Sequence, residues 1–104
     1  MGLSVGIITF NEEKRLERTL ESVKSFADEV IIVDSGSTDK THEIAQKFSA
    51  NFFVESWKGY GLQKNSVIDK CKEDWILLID ADEVISPELK NKIIEIVNQS
   101  KDDV

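Results

Sequence analysis

The sequence predicts an α/β fold, a Rossmann-like three-layer α/β/α domain with a mostly parallel sheet. Four short apolar runs alternate with four segments whose apolar residues recur at helical spacing, giving the order β-α-β-α-β-α-β-α. Strands that alternate with helices are joined by right-handed crossovers, so they pair in parallel and the helices cover the sheet. The chain has 104 residues, enough for one compact domain over residues 1–104.

The first half of the chain predicts two strand–helix pairs. Each strand is a short run rich in β-branched residues, and each helix repeats apolar residues every three or four positions. In order, these are a strand over residues 3–10, a helix over 12–25, a strand over 30–33 and a helix from 37 or 38 to about 48. Asn11 is expected to cap the first helix, and Ser37 or Thr38 the second.

The second half predicts two more pairs. In order, these are a weaker strand over residues 51–55, a helix over 62–71, a strand over 75–79 and a helix over 87–98. The fourth strand is an uninterrupted apolar run, so we expect it to be buried on both faces. Val67, Ile68 and Cys71 are the expected inner residues of the third helix. Ser86 is the expected N-cap of the fourth helix, followed by Pro87.

Composition excludes several classes of function. Asp and Glu number 20 against 13 Lys and Arg, a net charge of -7. Affinity for nucleic acid depends on Lys and Arg that neutralise phosphates, so no nucleic-acid partner is expected. Cys71 is the single cysteine, which excludes an internal disulfide and a cysteine-based metal site. No apolar run approaches the ~20 residues of a membrane span, and no signal peptide is evident, so we expect a cytoplasmic chain.

Polar residues follow the ends of three predicted strands. A doubly wound sheet in the order 3-2-1-4 places strands one and four side by side, where the chain direction diverges. Ligands bind outside the carboxyl ends of the strands at such a switch point. Asn11, Asp34 and the pair Asp80 and Asp82 follow strands one, two and four. We therefore expect these side chains to converge on one crevice.

Asp80 and Asp82 are the candidate metal ligands. Alternation along a strand makes residues two apart point the same way, and two carboxylates aimed together repel unless a cation lies between them. Oxygen ligands of this kind suit Mg²⁺ or Mn²⁺, and these ions usually bring a phosphate-bearing substrate. The alternative is that the acids only solvate the start of the next helix.

The other candidate ligand groups each have a structural alternative. Neither a dinucleotide glycine fingerprint nor a Walker lysine motif is present, so the metal would hold the phosphates, helped by Lys64. Lys64 can equally be a solvated helix lysine. Asp34 can accept hydrogen bonds from a ribose hydroxyl or a base, or can bond its own turn ahead of Gly36. Trp57 and Tyr60 can form an aromatic wall for a sugar or base, or pack onto the core.

Three segments in this order resemble the N-terminal motifs of family 2 glycosyltransferases: residues 4–12 (SVGIITFNE), 33–39 (VDSGSTD) and 80–83 (DADE). Residues 57–65 (WKGYGLQKN) and 85–89 (ISPEL) resemble the branch that includes bacterial lipooligosaccharide core β-1,4-glucosyltransferases. The resemblance implies a GT-A fold, a nucleotide-diphospho-sugar donor and inversion at the anomeric centre. For this branch it implies UDP-glucose and synthesis of lipopolysaccharide or another cell-surface glycan.

The resemblance also implies a role for each matching residue. Asp34 would contact the uracil or ribose, and Asp82 would bind Mg²⁺ or Mn²⁺ directly, with Asp80 closer to the ribose and the metal's waters. The metal would bridge the two phosphates and stabilise the leaving UDP as a Lewis acid. The residues expected to contact the nucleotide-sugar are Thr9, Phe10, Asn11, Asp34, Lys64 and Asp80.

Family members bind the acceptor, a glycan or glycolipid, in a second half that also supplies the carboxylate base. About 20 residues follow Glu83 in this sequence, and their acids match no base motif. We therefore expect a donor-binding half with no catalytic base, which is not fully active alone. For a full-length enzyme, a peripheral position at the inner face of the cytoplasmic membrane is left open.

Two rival functions are considered. A nucleotide-binding or interaction module could keep the donor fold without catalysis. Residues 76–84 also superficially fit the Asp-x-Asp signature of haloacid-dehalogenase-like phosphatases, which place their nucleophile on the first strand and not on the fourth.

The edge of the predicted sheet suggests an additional partner, a second copy of the chain. Strand four ends the sheet on one side, and no Lys, Pro or inward charge interrupts its apolar run. Free edges without these protections tend to pair, and two-fold closure is the commonest outcome. We therefore expect self-association as a homodimer through strand four or the helix after it.

Overall fold

The protein is described by a computed structural model over residues 2–102. Its elements, in chain order, are β1 (Leu3–Thr9), α1 (Leu16–Val23), β2 (Glu29–Asp34), α2 (Thr41–Lys47), β3 (Asn51–Val54), α3 (Tyr60–Lys70), β4 (Trp75–Asp80) and α4 (Pro87–Asp102). The four strands form one parallel sheet in the order β3-β2-β1-β4. The predicted α/β class and strand order 3-2-1-4 are therefore confirmed.

Helices cover both faces of the sheet and create two cores. On one face α3 packs on β1 and β2, and Val67 of α3 is buried against Ile31 and Val33 of β2. The larger core fills the other face beneath α1, α2 and α4. Its buried residues are Leu3, Val5, Ile7, Leu16, Leu20, Val23, Ile32, Ala45, Ile79, Ala81 and Ile85.

Gly6 allows α3 to approach β1 closely. A Cβ atom at this position would lie 2.4 Å from Val67 Cγ1 and 2.9 Å from Leu78 Cδ2. These distances are shorter than the ~3.5–4.0 Å at which carbon atoms attract best, so no side chain fits without movement. The missing side chain at Gly6 therefore sets the height of α3 above the sheet, and with it the position of every residue that α3 carries.

The prediction that strand four is buried on both faces is wrong. Ile76 and Leu78 are 37% and 39% exposed, on the side of the sheet where α3 lies. The physical reason is that β4 pairs only with β1 among the described strands, while α3 packs on β1 and β2. Ile68, expected to face inward from α3, is 39% exposed for the same reason. Trp75 and Leu77 alternate to the opposite side and pack against the larger core.

The starts of the first two helices also differ from the prediction. The amide of Glu12 donates to Thr41 Oγ1 (2.9 Å) at the start of α2, and the amide of Glu13 donates to Asp39 Oδ2 (3.2 Å) in the loop between β2 and α2. These long-range bonds hold the chain outside the helix, so α1 begins later than expected and Asn11 is not its cap. In α2, Asp39 Oδ1 accepts from the amide of Thr41 at 2.9 Å, so neither Ser37 nor Thr38 is the cap.

The remaining boundaries agree within one or two residues, except that α4 continues past residue 98 to Asp102. The predicted cap of α4 is confirmed, because Ser86 Oγ accepts from the amide of Leu89 at 3.1 Å. Nowhere in residues 2–102 is there a helix with the length and hydrophobicity needed to cross a membrane.

Candidate functional site

An open cleft of about 820 Å³ lies at the carboxyl ends of β1 and β4. This is the switch point of the sheet, and the volume is within the range of about 300–1,000 Å³ common for ligand sites. The lining residues come from three strand ends and from the start of α3. They are Ile8, Thr9, Phe10, Glu12, Ser35, Trp57, Tyr60, Lys64, Asp80, Ala81 and Asp82.

The cleft brings together most of the residues that the sequence singled out. Thr9, Phe10, Lys64, Asp80 and Asp82 all line it. Asn11 and Asp34 are not among the lining residues, but each is a chain neighbour of residues that are: Asn11 lies between Phe10 and Glu12, and Asp34 precedes Ser35. The ligand contacts assigned to all seven residues remain predictions.

Asp80 and Asp82 reach the cleft through a turn. The strand ends at Asp80, and the amide of Glu83 donates to the carbonyl of Asp80 at 3.0 Å, which closes the turn. The carbonyl of Ala81 accepts from Thr19 Oγ1 at 2.8 Å and so ties the turn to α1. Strand alternation therefore does not extend to Asp82, but both carboxylates still face the same space.

Glu12 is a lining acid that the sequence did not identify as a site residue. Burial, the largest influence, raises the pKa of Glu12 above its ordinary value; Arg15 opposes this, and the nearby charges of Asp82 and Asp39 raise it further. The influence of Asp82 shows that the two carboxyl groups are close enough to repel. Its position just after the end of the first strand could have identified Glu12 as a cleft residue, by the same argument that singled out Asn11.

The charges around the cleft favour a cation. Its lining carries three carboxylates, Glu12, Asp80 and Asp82, against the single ammonium of Lys64. No group of three or more His, Cys, Asp or Glu side chains in the described chain can hold an ion by itself. Proteins often bind Mg²⁺ or Mn²⁺ through one or two carboxylates, with phosphate oxygens and waters completing the shell, so Asp80 and Asp82 as metal ligands remain a prediction.

Asp34 is the centre of a buried hydrogen-bond network. It is 1% exposed, and Oδ1 accepts from Thr9 Oγ1 and Ser37 Oγ, both at 2.6 Å. Its Oδ2 accepts from the amides of Gly36 (2.8 Å) and Ser37 (2.6 Å). Burial alone would raise the pKa of Asp34, but the bonds from Ser37, Thr9 and Gly36 outweigh it and the pKa is lowered. The carboxylate thus joins the end of β1 to the loop after β2, directly below Ser35 in the cleft lining.

Asn11 fastens the same two loops together at the surface. Its amide donates to Ser37 Oγ at 2.7 Å, and its side-chain Oδ1 accepts from the amide of Thr38 at 2.8 Å. Asn11 has φ +53°, a left-handed conformation that Asn tolerates better than most residues. The geometry therefore gives Asn11 a clear structural role next to Phe10, which projects into the cleft.

Three exposed aromatic rings surround the cleft. Phe10, Trp57 and Tyr60 are 57%, 51% and 69% exposed, so none of them packs into the core. Trp57 and Tyr60 meet edge to face, with ring centroids 4.8 Å apart and an interplanar angle of 88°. Trp57 and Tyr60 therefore form an exposed aromatic wall at the edge of the cleft and do not pack onto the core, and their contact with a base or sugar remains a prediction.

The parallel sheet, with acids and aromatic rings at its switch point, defines a doubly wound α/β ligand-binding domain. The chain belongs to glycosyl transferase family 2, whose model matches residues 4–104. This membership confirms the family inferred from the sequence motifs.

Curated relatives carry glycosyltransferase names. An uncharacterized glycosyltransferase of Rickettsia bellii is 54% identical over 91 residues, covering 88% of this chain and 31% of the relative. The lipopolysaccharide core biosynthesis glycosyltransferase LpsC of Rhizobium meliloti is 38% identical over 103 residues, covering 94% and 38%. The chain therefore spans about a third of the length of the curated relatives it matches.

Solved structures share the fold. TarS 1-349 of S. aureus superposes with a TM-score of 0.77 at 27% identity, covering 95% of this chain and 33% of TarS; its complex with UDP gives 0.75 at 25% identity. Glucosyl-3-phosphoglycerate synthase of Mycobacterium tuberculosis, in complex with Mn²⁺, UDP and glucosyl-3-phosphoglycerate, gives 0.68 at 26% identity, covering 77% and 33%. These GT-A enzymes confirm the predicted fold family.

Proposed function

We propose that this chain is the donor-binding part of a metal-dependent glycosyltransferase. The donor is a UDP-hexose, with UDP-glucose the first candidate, and the sugar is transferred with inversion to a glycan or glycolipid. Similarity to a lipopolysaccharide core glycosyltransferase supports a role in lipopolysaccharide or related cell-surface glycan synthesis. Family membership and UDP in complexes of two structural neighbours support the donor class.

The observation that carries the proposal is that Asp80, Asp82 and Lys64 line one cleft at the switch point. A divalent cation bound there would supply charge neutralisation for a diphosphate and for the departing nucleotide. The two carboxylates would position that cation, and Lys64 would add a positive charge in the same cleft. Without a cation, the net negative lining would repel a diphosphate.

The remaining lining residues suit the nucleoside and the sugar. The exposed rings of Phe10, Trp57 and Tyr60 offer stacking surfaces beside the charged part of the cleft. The proposed contact of Asp34 with the uracil or ribose would require its carboxylate to exchange an internal bond for one to the ligand, because all four of its present bonds are within the protein.

Calorimetric titration with UDP, UDP-glucose and GDP in the presence of Mn²⁺ tests the donor class. We expect UDP and UDP-glucose to bind at least about tenfold more tightly than GDP, a difference of about 1.4 kcal/mol. Equal affinity for UDP and GDP would contradict the assignment of a uridine donor. Binding of no nucleotide at all would contradict the donor site itself.

Turnover distinguishes the enzyme from the rival binding module. We assign no catalytic base to the described residues, and expect the isolated chain to bind donor without efficient transfer. A longer protein containing this domain is expected to transfer the sugar, and to lose the transfer when Asp82 is replaced. A longer protein that binds UDP-glucose and never consumes it would favour the binding module.

A further inference from the structure

Gln63 is a fully buried amide under the wall of the cleft. Its exposure is 0%, although it lies in the first turn of α3, next to Lys64. Burying an amide costs free energy unless it is hydrogen-bonded, so the partners of Gln63 show what its burial accomplishes. In the sequence, Gln63 was noted only as part of the segment 57–65 (WKGYGLQKN) that carries the family resemblance.

The Gln63 side chain bonds three separate segments of the chain. Oε1 accepts from the amide of Lys58 at 3.3 Å, in the loop between β3 and α3. Nε2 donates at 3.4 Å to Ser35 Oγ, after β2, and at 3.4 Å to the carbonyl of Glu55, at the end of β3. The amide group is therefore the junction between the loop that carries Trp57 and the strand ends that form the cleft.

The loop between β3 and α3 has few other attachments. Residues 55–59 have no helix or strand structure, and Trp57 is half exposed. Those other attachments lie mostly at its two ends. At Glu55, the amide donates to the carbonyl of Asp34 (2.8 Å) and the carboxylate bonds Lys58 (2.9 Å), Ser66 (2.6 Å) and Lys70 (2.6 Å). At Gly59, the carbonyl accepts from the backbone amide of Gln63 at 3.0 Å. Between these two ends, the bond that the Lys58 amide donates to Gln63 Oε1 links the loop to a buried side chain.

We propose that Gln63 is a positioning residue that holds the aromatic wall, Trp57 against Tyr60, at the edge of the cleft. Gln63 does not line the cleft and so acts through the loop, by fixing the Lys58 amide one residue after Trp57. Its hydrogen bonds are longer than the ~2.9–3.0 Å optimum, so each is weak and the three act as a set. Without them the part-buried Lys58 amide and Glu55 carbonyl would lose these partners, and water would take the place of the Gln63 side chain, which loosens the loop.

The first test uses the ligand-free protein and is independent of the proposed function. A Trp75→Phe background leaves Trp57 as the only tryptophan. In that background, Gln63→Leu removes all three bonds, and Gln63→Glu keeps the acceptor for Lys58. Val67→Ala is the matched control, a fully buried residue of the same helix that packs on Ile31 and Val33 of the sheet.

Acrylamide quenching and fluorescence anisotropy of Trp57 report the order of the wall. For Gln63→Leu we expect quenching of Trp57 to rise and its anisotropy to fall. Quenching can rise by no more than about twofold, because the Trp57 ring is already 51% exposed. Gln63→Glu should lie between Gln63→Leu and the parent, and Val67→Ala should match the parent. Thermal unfolding confirms that each variant is folded at the assay temperature. Unchanged quenching and anisotropy in folded Gln63→Leu would overturn the proposal.

The second test depends on the proposed donor site and compares two ligands. Gln63→Leu should weaken UDP binding about tenfold, the effect of losing one well-placed aromatic contact, and should change Mn²⁺-pyrophosphate binding by less than about twofold. Equal losses for both ligands would overturn the proposal, because Gln63 would then act through Lys64 or the whole helix. If the parent binds no UDP, the donor proposal fails, and the fluorescence result alone decides the role of Gln63.

Discussion

Replacing Asp34 with Ala should destabilise the fold strongly, apart from any effect on a ligand. The change leaves four donors without their acceptor: two hydroxyls and two backbone amides, grouped around a side chain that is 1% exposed. Hydrogen bonds to a charged group contribute about 1.5–3 kcal/mol each, but bonds that share one carboxylate do not add. We expect a loss of about 3–5 kcal/mol, the range for removing one partner from a buried charged network.

Asp34→Asn should be much milder. The amide oxygen can take the place of Oδ2 and accept from the amides of Gly36 and Ser37, while the hydroxyls of Thr9 and Ser37 rotate to accept from the NH₂ group. The variant therefore loses the charge and keeps most bonds, and we expect a cost of about 1–2 kcal/mol. Asp69→Ala, an exposed acid on α3 that does not line the cleft, is the matched control and should cost less than about 0.5 kcal/mol.

Urea unfolding at pH 7 measures these differences, and repetition at lower pH tests their cause. Because the folded-state pKa of Asp34 is lowered, its stabilising charge is fully present above the ordinary value of 3.8 and is lost as the pH falls through the folded pKa. The difference in free energy of unfolding between wild type and Asp34→Asn should therefore become smaller below about pH 4. If Asp34→Ala and Asp69→Ala lower the free energy of unfolding by amounts within about 0.5 kcal/mol of each other, Asp34 does not stabilise the fold through this network. The proposed nucleoside contact predicts a separate loss of about 1–3 kcal/mol in UDP affinity, with almost none for Mn²⁺-pyrophosphate.

Three further predictions follow from the packing and the charges. Gly6→Ala should lower the free energy of unfolding by about 1–3 kcal/mol, because the new methyl group meets Val67. The double variant with Val67→Ala should lose less than the sum of the two single losses. If urea unfolding shows the two losses to be strictly additive, α3 does not approach Gly6 this closely. Hydrogen bonds, that from Lys70 foremost, lower the pKa of Glu55 to about 2. As the pH falls from about 4.5 to 2, wild type should therefore lose a stabilising contribution that Glu55→Gln lacks at every pH. If the melting temperatures of wild type and Glu55→Gln fall in parallel over this range, Glu55 does not have this role. The exposed edge of β4 should make the chain self-associate, and Leu78→Lys should weaken that association. A wild-type monomer in sedimentation velocity, at high protein concentration in about 0.5 M salt, would contradict this.

The parts of the fold that follow from local pattern were predictable from the sequence. Short apolar runs and helical periodicity fix the elements, and the handedness of crossovers then limits the sheet to few orders. The switch point of that sheet led to Asp80 and Asp82, and the family resemblance added Thr9 and Phe10 and supported Lys64; all five line the cleft. The exposure of Ile76 and Leu78 was not predictable in the same way, because it depends on which strands α3 covers and not on strand four itself.

The polar network under the cleft was the least predictable part. Asn11 was expected to cap a helix, but it bonds Ser37 and Thr38, which lie 26 and 27 residues away in the sequence. Gln63 was unremarkable in a helix sequence, because its burial results from three partners that only the folded chain assembles. Such bonds depend on long-range geometry, whereas propensity and periodicity describe only neighbours in the chain.

The most direct measurement of the central claim is the affinity for UDP in Mn²⁺ and in EDTA. Wild type should bind UDP at least about tenfold more tightly in Mn²⁺, because the cation offsets the net negative lining of the cleft. Asp82→Ala should lose most of that gain, and the control Asp69→Ala should keep it. Equal affinity for UDP with and without the metal in wild type would contradict Asp80 and Asp82 as the site of a metal that holds a nucleotide-diphospho-sugar.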